Sequence, residues 1–495
     1  MDYNKIERTF SDFIINLVGP NSERDKARNE KFLIIKKIMD KAIQAEIKEY
    51  IPHIFTYGSF PIKTYMKDAD IDITIIFEDI KTHKLVLNVP FEIISNTIVI
   101  LKNAFETFNF EENMNAFTEI NIIYAEVRLL KCKYENLSLD ISVNNLTGIS
   151  KILFMSYIEK NFDEHINNYS LFKRTLLLIK SWAYYEGNLI GSNIGLMASY
   201  ALEVLVIYLF NNYSHLFTSE IQAFFSFFHI LGEMDWDHEI LHIFGTIKNE
   251  TFLDGLKTME KMENIDIEPF WYLDYENIKD YPYALNFNKT LNYIQKIEKI
   301  LGEEKGNKFF TIKNMNILDP VLCNNNLGKS INFHCFSRIK KIFQLVNKEI
   351  EAIIKIRNKM DPFLYINSLL KLFKRTITNN FIDLFTASLD KPSIIINPNK
   401  NDTTYNLKCT IEPQRIQQFN SLFVTLTDKD RNIIGNISNN KSINYDEYDI
   451  IVTKAIMDRL LSGESDINNV FGKLSILEGG NYKESLIFFT KFGYI

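Results

Sequence analysis

The 495-residue chain has only four cysteines, Cys132, Cys323, Cys335 and Cys409, and no two of them form a Cys-x-x-Cys pair. That scarcity offers neither a disulfide framework nor a zinc site, and it fits a reducing, intracellular compartment, nucleus or cytoplasm. Long apolar runs are missing too. The most apolar segment, Gly195 to Phe210, is short and carries Glu203, so it reads as a buried helix and not as a membrane span. The opening residues Met1-Asp2-Tyr3-Asn4-Lys5-Ile6 lack the basic and apolar regions of a secretory signal. There is no excess of positive charge: a formal net charge of −6 excludes a protein that grips nucleic acid by electrostatics alone, and any such contact must be local. No internal repeat is visible, and the histidines are scattered without a catalytic grouping. With 46% hydrophobic and 24% charged residues, the chain is an ordinary globular protein long enough for two or three domains.

What the sequence does have is the stretch from Thr56 to Asp72, followed by the apolar run Ile73-Thr74-Ile75-Ile76-Phe77. It predicts strand, tight turn, short helix, strand. Side chains two apart on a strand share a face, so Asp70 and Asp72 project together while Ile71, Ile73 and Ile75 face a core. Two carboxylates that close repel one another unless a cation lies between them, and hard oxygen ligands suit Mg²⁺. Gly58 has no Cβ to obstruct an approaching group, and Ser59 caps a helix entered through Pro61, whose free N–H groups and dipole attract phosphate. Taken singly, an Asp-x-Asp pair is also a solvated strand end and a Gly-Ser turn only a turn. Their order is what points to a triphosphate and metal site. Asp140 lies in Leu137-Ser138-Leu139-Asp140-Ile141-Ser142-Val143, where alternation puts Ser138, Asp140 and Ser142 on one face and supplies a third carboxylate.

Around this stretch, helical spacing is expected over residues 3–18, in a second segment opened by Ser22, and from Pro90 to about Phe108. Strands are expected over Glu119–Leu130 and Leu137–Val143. Helical segments follow at 151–160, 171–186, 195–212, 217–232, 288–301 and 334–356. Beyond about Met360 the pattern changes to a basic amphipathic stretch, Leu364–Thr376, a polar Asn-rich segment, 393–408, and a hairpin around Asp428-Lys429-Asp430-Arg431-Asn432. The expected organisation is N-terminal helices (1–48) packing on the central domain, a catalytic domain (49–150), a helical central domain (151–360) and a C-terminal accessory region (361–495).

The Gly-Ser turn, the Asp-x-Asp strand and the later third Asp together resemble the DNA polymerase β-like nucleotidyltransferase superfamily. Leu178-Ile179-Lys180-Ser181-Trp182-Ala183 and Gly195-Leu196-Met197-Ala198-Ser199-Tyr200-Ala201-Leu202 look like the signature helices of nonstandard poly(A) polymerases and terminal uridylyltransferases. Ile317-Leu318-Asp319-Pro320, Asn324 to Ser330 and Phe336-Ser337-Arg338-Ile339 resemble their nucleotide recognition motif and the helix after it. The wording of Pro61 to Tyr65 and Asn324 to Ser330 is similar to a plant group with a poly(A) polymerase and oligoadenylate synthase-like substrate domain.

The resemblance implies an α+β, two-lobed nucleotidyltransferase with a mixed β-sheet catalytic lobe, a mostly helical central domain and a small C-terminal region. It further implies Mg²⁺ or Mn²⁺ on Asp70, Asp72 and Asp140, one ion activating an attacking 3′-hydroxyl and the other neutralising the triphosphate and the leaving pyrophosphate. Carried over by position, Gly58 and Ser59 hold the triphosphate, Lys180 meets its outer phosphates, and Ser199 and Tyr200 line the nucleotide with Tyr200 stacked on the base. Asn325 stands where uridylyltransferases commonly have a histidine, and its amide suits ATP while leaving UTP open. Arg338, Lys340 and Lys341, with Lys371, Lys374 and Arg375, are candidate RNA contacts or a solvated helix face. The implied partners are an RNA 3′ end, a ribonucleoside triphosphate, and an RNA-dependent RNA polymerase, a helicase or an RNA-decay complex, with no membrane. The chain departs from the family in two places. Tyr184 replaces a second lysine one turn after Lys180, and the asparagine that in some members reads the ribose 2′-hydroxyl downstream of the third Asp has no clear counterpart, a place left to Asn145 or Ser150. The reading is a template-independent transferase that adds AMP or UMP to RNA. Its rivals are a synthase of short oligonucleotides and a mainly structural subunit.

Overall fold

The computed structural model describes residues 3–112, 115–124, 128–166, 170–260, 284–301, 310–322, 324–359 and 361–381, and four short strands between 393 and 436. Helix α1 (Tyr3–Val18) buries Ile6, Phe10, Phe13, Ile14 and Leu17, the stripe its spacing predicts. Its open C-terminal carbonyls are closed by Arg24, whose guanidinium donates to the carbonyls of Asn16, Leu17 and Gly19 at 2.7–3.0 Å. Helix α2 (Ser22–Glu46) starts at Asn21, whose side chain accepts from Arg24 N.

These two helices part company. The apolar face of α1 joins the core of the central domain, whereas Ile35, Met39 and Ile43 of α2 pack on the catalytic sheet. The expected N-terminal unit is therefore shared between the lobes.

The catalytic sheet has five strands in the order β1-β2-β5-β4-β3: β1 (Tyr50–Tyr57), β2 (Ile71–Asp79), β3 (Phe117–Ile123), β4 (Leu129–Tyr134) and β5 (Leu137–Val143). It is mixed, because β2 and β5 run parallel while the other neighbours are antiparallel. A parallel pair needs a crossover, and here it contains α3 (Phe91–Glu111), which packs Ile98, Leu101 and Phe105 with Ile71, Ile73 and Ile75. The single strand expected over Glu119–Leu130 is divided between β3 and β4, which pair through Ile123 and Leu129. The short helix expected after the Gly-Ser turn is absent. Gly58 has φ +70° and Lys63 has φ +54°, and left-handed residues cannot continue a right-handed helix. Residues 58–63 form tight turns instead, with Lys63 N donating to Phe60 O (3.1 Å) and Thr64 N to Ser59 O (2.9 Å).

The central domain comprises α4 (Leu146–Ile166), α5 (Leu171–Ser181) running into a π-turn (Trp182–Glu186), α6 (Ser199–Tyr213), α7 (Glu220–Glu233), α8 (Asn249–Glu260), α9 (Phe287–Leu301) and α10 (Phe333–Asn358). A hairpin of two four-residue strands, β6 (Glu239–His242) and β7 (Gly245–Lys248), interrupts the helices and has no counterpart in the expectations. Two further helices, α11 (Pro362–Leu372) and α12 (Lys374–Phe381), extend the same core with Tyr365, Leu369, Phe373 and Ile377. The core thus runs past the expected boundary at 360, because the stretch Leu364–Thr376 buries its apolar side. Trp182 Nε1 donates to Leu372 O at 3.0 Å.

The fully buried Glu7 ties α1 to α7, α10 and α11. Its Oε1 accepts from Arg357 Nε (2.9 Å) and the Tyr365 hydroxyl (2.8 Å), and its Oε2 from Ser219 Oγ (2.5 Å) and Gln222 Nε2 (3.2 Å).

Farther on, β8 (Ser393–Pro398) pairs with β9 (Tyr405–Thr410), so the Asn-rich segment contains a hairpin. Strands β10 (Thr425–Thr427) and β11 (Ile433–Asn436) also pair antiparallel, on either side of the turn expected at 428–432, whose own residues lie outside those described. Among the described residues, no helix is long and apolar enough to cross a membrane.

Candidate active site

Strand register assembles the carboxylates. Asp72 lies opposite Asp140 on the parallel pair β2–β5 and opposite Tyr57 on β1, and Asp70 immediately precedes β2. The alternation read from the sequence holds: Ile71, Ile73 and Ile75 are fully buried on the far face. Gly58 sits against Asp72 so closely that a Cβ there would lie 2.1 Å from Asp72 Oδ2, which, with its positive φ, restricts the position to glycine. Ser59 follows at the turn and is half-buried.

The carboxylates strain against each other. Burial, then the charges of Asp70 and Asp140, push Asp72 up to about 8. Burial and the charge of Asp140 likewise raise Asp70. Lys131 on β4, directly across the ladder from Asp140, donates from Nζ to Asp140 Oδ2 at 2.6 Å and opposes both shifts. Carboxylates held up in this way suit a divalent cation, which would relieve the repulsion. Among the described residues, however, no three acidic, histidine or cysteine side chains are already gathered at metal-holding geometry. The donor set fits the ion chemically, with Lys131 paired to one of its members.

The central domain closes the other side. Lys180 of α5 is 5% exposed and pairs with Glu203 of α6, Nζ to Oε1 2.9 Å, and its charge also reaches Asp72. The π-turn places Tyr184 within electrostatic reach of Asp68 and Asp70, and Tyr185 donates its hydroxyl to Asp68 Oδ2 at 3.0 Å. Ser199 opens α6 and is exposed. Tyr200 packs against the central core, and its hydroxyl is buried with no partner among the described residues. The ammonium of Lys151 (α4) lies 4.5 Å from the Tyr200 ring centroid and 3.7 Å from Asp319 Oδ2.

Asp319 is fully buried in the loop 317–330, which β6 anchors: Leu241 N donates to Asn316 O at 3.0 Å and Leu318 N to Leu241 O at 2.8 Å. Asp319 Oδ1 accepts from Val321 N and Leu322 N, and Oδ2 from Asn325 Nδ2 at 2.9 Å. Asn325 Oδ1 accepts in turn from Lys329 Nζ at 3.0 Å, so both ends of its amide have protein partners.

The residues left for the ribose are also occupied: Asn145 Oδ1 accepts from Gly148 N, and the buried Ser150 donates to Leu146 O. Lys151, the next residue, is the one that reaches Tyr200 and Asp319. Of the candidate RNA contacts, Arg338 donates to the carbonyls of Asn188 (2.7 Å) and Gly187 (2.6 Å), Lys340 is paired with Asp237, and Lys341 is exposed. Sequence reasoning overlooked Lys131, Lys151 and Tyr185. For Lys131 a signal existed, since Lys131 and Lys133 alternate with the apolar Leu130 and Cys132 along β4.

Two family models match the chain: the poly(A) RNA polymerase, mitochondrial-like, central palm domain over residues 10–159, and the PAP/OAS1 substrate-binding domain over residues 166–377. Curated proteins give no match by sequence. Solved structures similar to the chain include Cid1, described with an RNA terminal uridylyl transferase activity, at 12% identity and TM-score 0.46, covering 70% of this chain and 94% of that one. The Cid1 poly(U) polymerase bound to MgGTP has 12% identity and TM-score 0.45, covering 69% and 94%. The mtPAP complex with GTP has 12% identity and TM-score 0.44, covering 70% and 67%. The two domain models follow one another along the chain, the palm model over the strands that carry Asp72 and Asp140 and the substrate-binding model over most of the central helices, and together they give the chain the two domains of a poly(A) polymerase-type nucleotidyltransferase.

Proposed function

We propose that the protein adds AMP or UMP from the ribonucleoside triphosphate to the 3′ end of an RNA, without a template and with release of pyrophosphate. The observation that carries this reading is the parallel register that sets Asp72 against Asp140 beside Asp70 and the Gly58 turn. Asp70, Asp72 and Asp140 would hold Mg²⁺, or Mn²⁺ in its place. When bound, such ions supply an acidified 3′-hydroxyl and charge neutralisation at the triphosphate. The chain does the rest. The Gly58–Ser59 turn lies against Asp72, so phosphate oxygens held by it would stand beside the carboxylates, and Lys180, held by Glu203, adds positive charge within reach of Asp72. Tyr200 would offer the ring on which the base stacks, in the place where the Lys151 ammonium lies against it, between that ring and Asp319.

Extension of a labelled RNA primer with each of the four ribonucleotides in turn, under Mg²⁺ and then Mn²⁺, tests the reading. One nucleotide, ATP or UTP, should dominate. Failure of every nucleotide to extend any primer would overturn it, and short products made without a primer would favour an oligonucleotide synthase.

A further inference from the structure

Asp72 and Asp140 are fixed by the ladder that pairs them, but Asp70 is not. The ladder between β2 and β5 begins at Ile71 and Leu139, one residue too late to hold it. Its position depends on the loop that arrives from the Gly58 turn. That loop is gripped by Arg28, a residue of α2 that is 7% exposed. Arg28 Nη2 donates to Lys67 O at 2.8 Å and to Ala69 O at 2.7 Å. The second of these matters most, because the Ala69 carbonyl and the Asp70 amide belong to one planar peptide unit, so fixing the oxygen also fixes the plane from which Asp70 departs.

The guanidinium is itself held. It lies 4.5 Å from the ring centroid of Tyr65. Tyr65 donates its hydroxyl to Asp25 Oδ1, and Asp25 Oδ2 pairs with Lys63 Nζ at 2.8 Å. The other terminal nitrogen, Arg28 Nη1, is buried with no hydrogen-bond partner among the described residues. A guanidinium kept inside with one arm unmatched is a poor choice for stability alone. It is a good choice where one amino group, Nη2, whose two hydrogens are fixed in the guanidinium plane, must hold two carbonyls in one fixed relation.

We propose that Arg28 is a positioning residue for the nucleotidyl transfer reaction: by clamping the carbonyls of Lys67 and Ala69 it sets Asp70 where it can share a divalent cation with Asp72 and Asp140. The inference rests on Asp70 being a metal ligand. It is tested with full-length Arg28→Met and Arg28→Lys proteins beside an Asp70→Asn control, measuring Mn²⁺ affinity by electron paramagnetic resonance without nucleotide and then steady-state primer extension.

Loss of a partner that orients a ligand should weaken Mn²⁺ binding about tenfold in Arg28→Met, lower kcat in step, and leave KM for the nucleotide within about twofold at saturating metal. Arg28→Lys, with the charge but without the planar amino group, should recover part of both. Mn²⁺ affinity and kcat within about twofold of wild type in the folded Arg28 variants would overturn the proposal, whatever their melting temperatures, since a mere brace would move only the latter. Should Arg28→Met fail to fold, Arg28→Lys decides alone: a loss of about threefold or more is expected, and unchanged affinity overturns. If Asp70→Asn leaves Mn²⁺ affinity unchanged, the metal reading itself fails; if it lowers affinity and the Arg28 variants do not, only the positioning role fails.

Discussion

Replacing His242 by Asn should flatten the acid side of the protein's stability profile. His242 ends β6, is 2% exposed, and uses Nδ1 to accept the Phe244 N–H at 3.1 Å. Burial pushes its protonation down to about 3 from an ordinary 6.5. Between those values the unfolded chain binds a proton that the folded chain refuses. Stability is therefore complete above about pH 6.5 and is lost as the pH falls towards about 3. At about pH 5 the gap is about 1.5 pH units below the unfolded value, which at about 1.4 kcal/mol per unit costs the native state about 2 kcal/mol.

The neighbouring Leu241 holds the recognition loop through Asn316 and Leu318, so this cost falls on the part of the fold that presents Asp319. Asn keeps an acceptor near the position of Nδ1 and does not titrate. Urea unfolding of both proteins at about pH 7.5 and about pH 5 isolates the effect, because other titrating groups cancel in the difference. Wild type should lose about 2 kcal/mol more than His242→Asn on acidification. A difference below about 0.5 kcal/mol would refute the account of His242 as a neutral, buried acceptor.

Asp70→Ala or Asp72→Ala should abolish nucleotide addition while leaving the circular dichroism spectrum unchanged, since each relieves repulsion but vacates a ligand position; substantial tailing by either would sink the metal assignment. A fragment ending at 360 loses Tyr365, Leu369, Phe373 and Ile377 from the core, side chains each worth about 1.5–3 kcal/mol when buried. It should show no cooperative melt, whereas a fragment ending at 381 should, and a cooperative melt of the shorter one would show that α11 and α12 are dispensable. Asn325→His breaks the link from Asp319 to Lys329 and should move the ratio of kcat/KM values towards UTP by about tenfold. An unchanged ATP-to-UTP ratio in competition on one primer would show that this position has no say in base choice.

Local pattern made the catalytic strands legible. The run Leu137–Val143 alternates so cleanly that its bounds are those of β5, and the same alternation placed Asp72 and Asp140 on the site face. Helix α1 and the segments in the central domain followed from apolar spacing in the same way. Contacts between distant residues were not legible. Lys180 and Glu203 stand 23 positions apart on separate helices, and their ion pair exists only because α5 packs on α6. Arg28 reaches Lys67 and Ala69 across about forty residues. The missing helix after Gly58 had a different cause: Ser59 and Pro61 favour a helix start, but Lys63 is held left-handed by turn bonds that no propensity records. The boundary set at 360 failed because a basic stretch looks solvated until its apolar side finds a groove to fill.

The loop from Gly58 to Asp70 also acts mechanically. Phe60 and Tyr65 are sunk in the hydrophobic core of the sheet, while Ile62 and Met66, alternating with them along the same few residues, are sunk in that of the central domain. The loop is a rivet through both lobes, and its far end, under the Arg28 clamp, carries Asp70. Lys67 N is bonded to Val18 O on one body, and Asp72, two residues past Asp70, is laced into the ladder of the other. Any tilt of one lobe against the other therefore strains the chain between these anchors, from Phe60 to Asp72. Asp70 thus sits at the end of a stitch between two cores, held to α2 by the Arg28 clamp on the peptide before it.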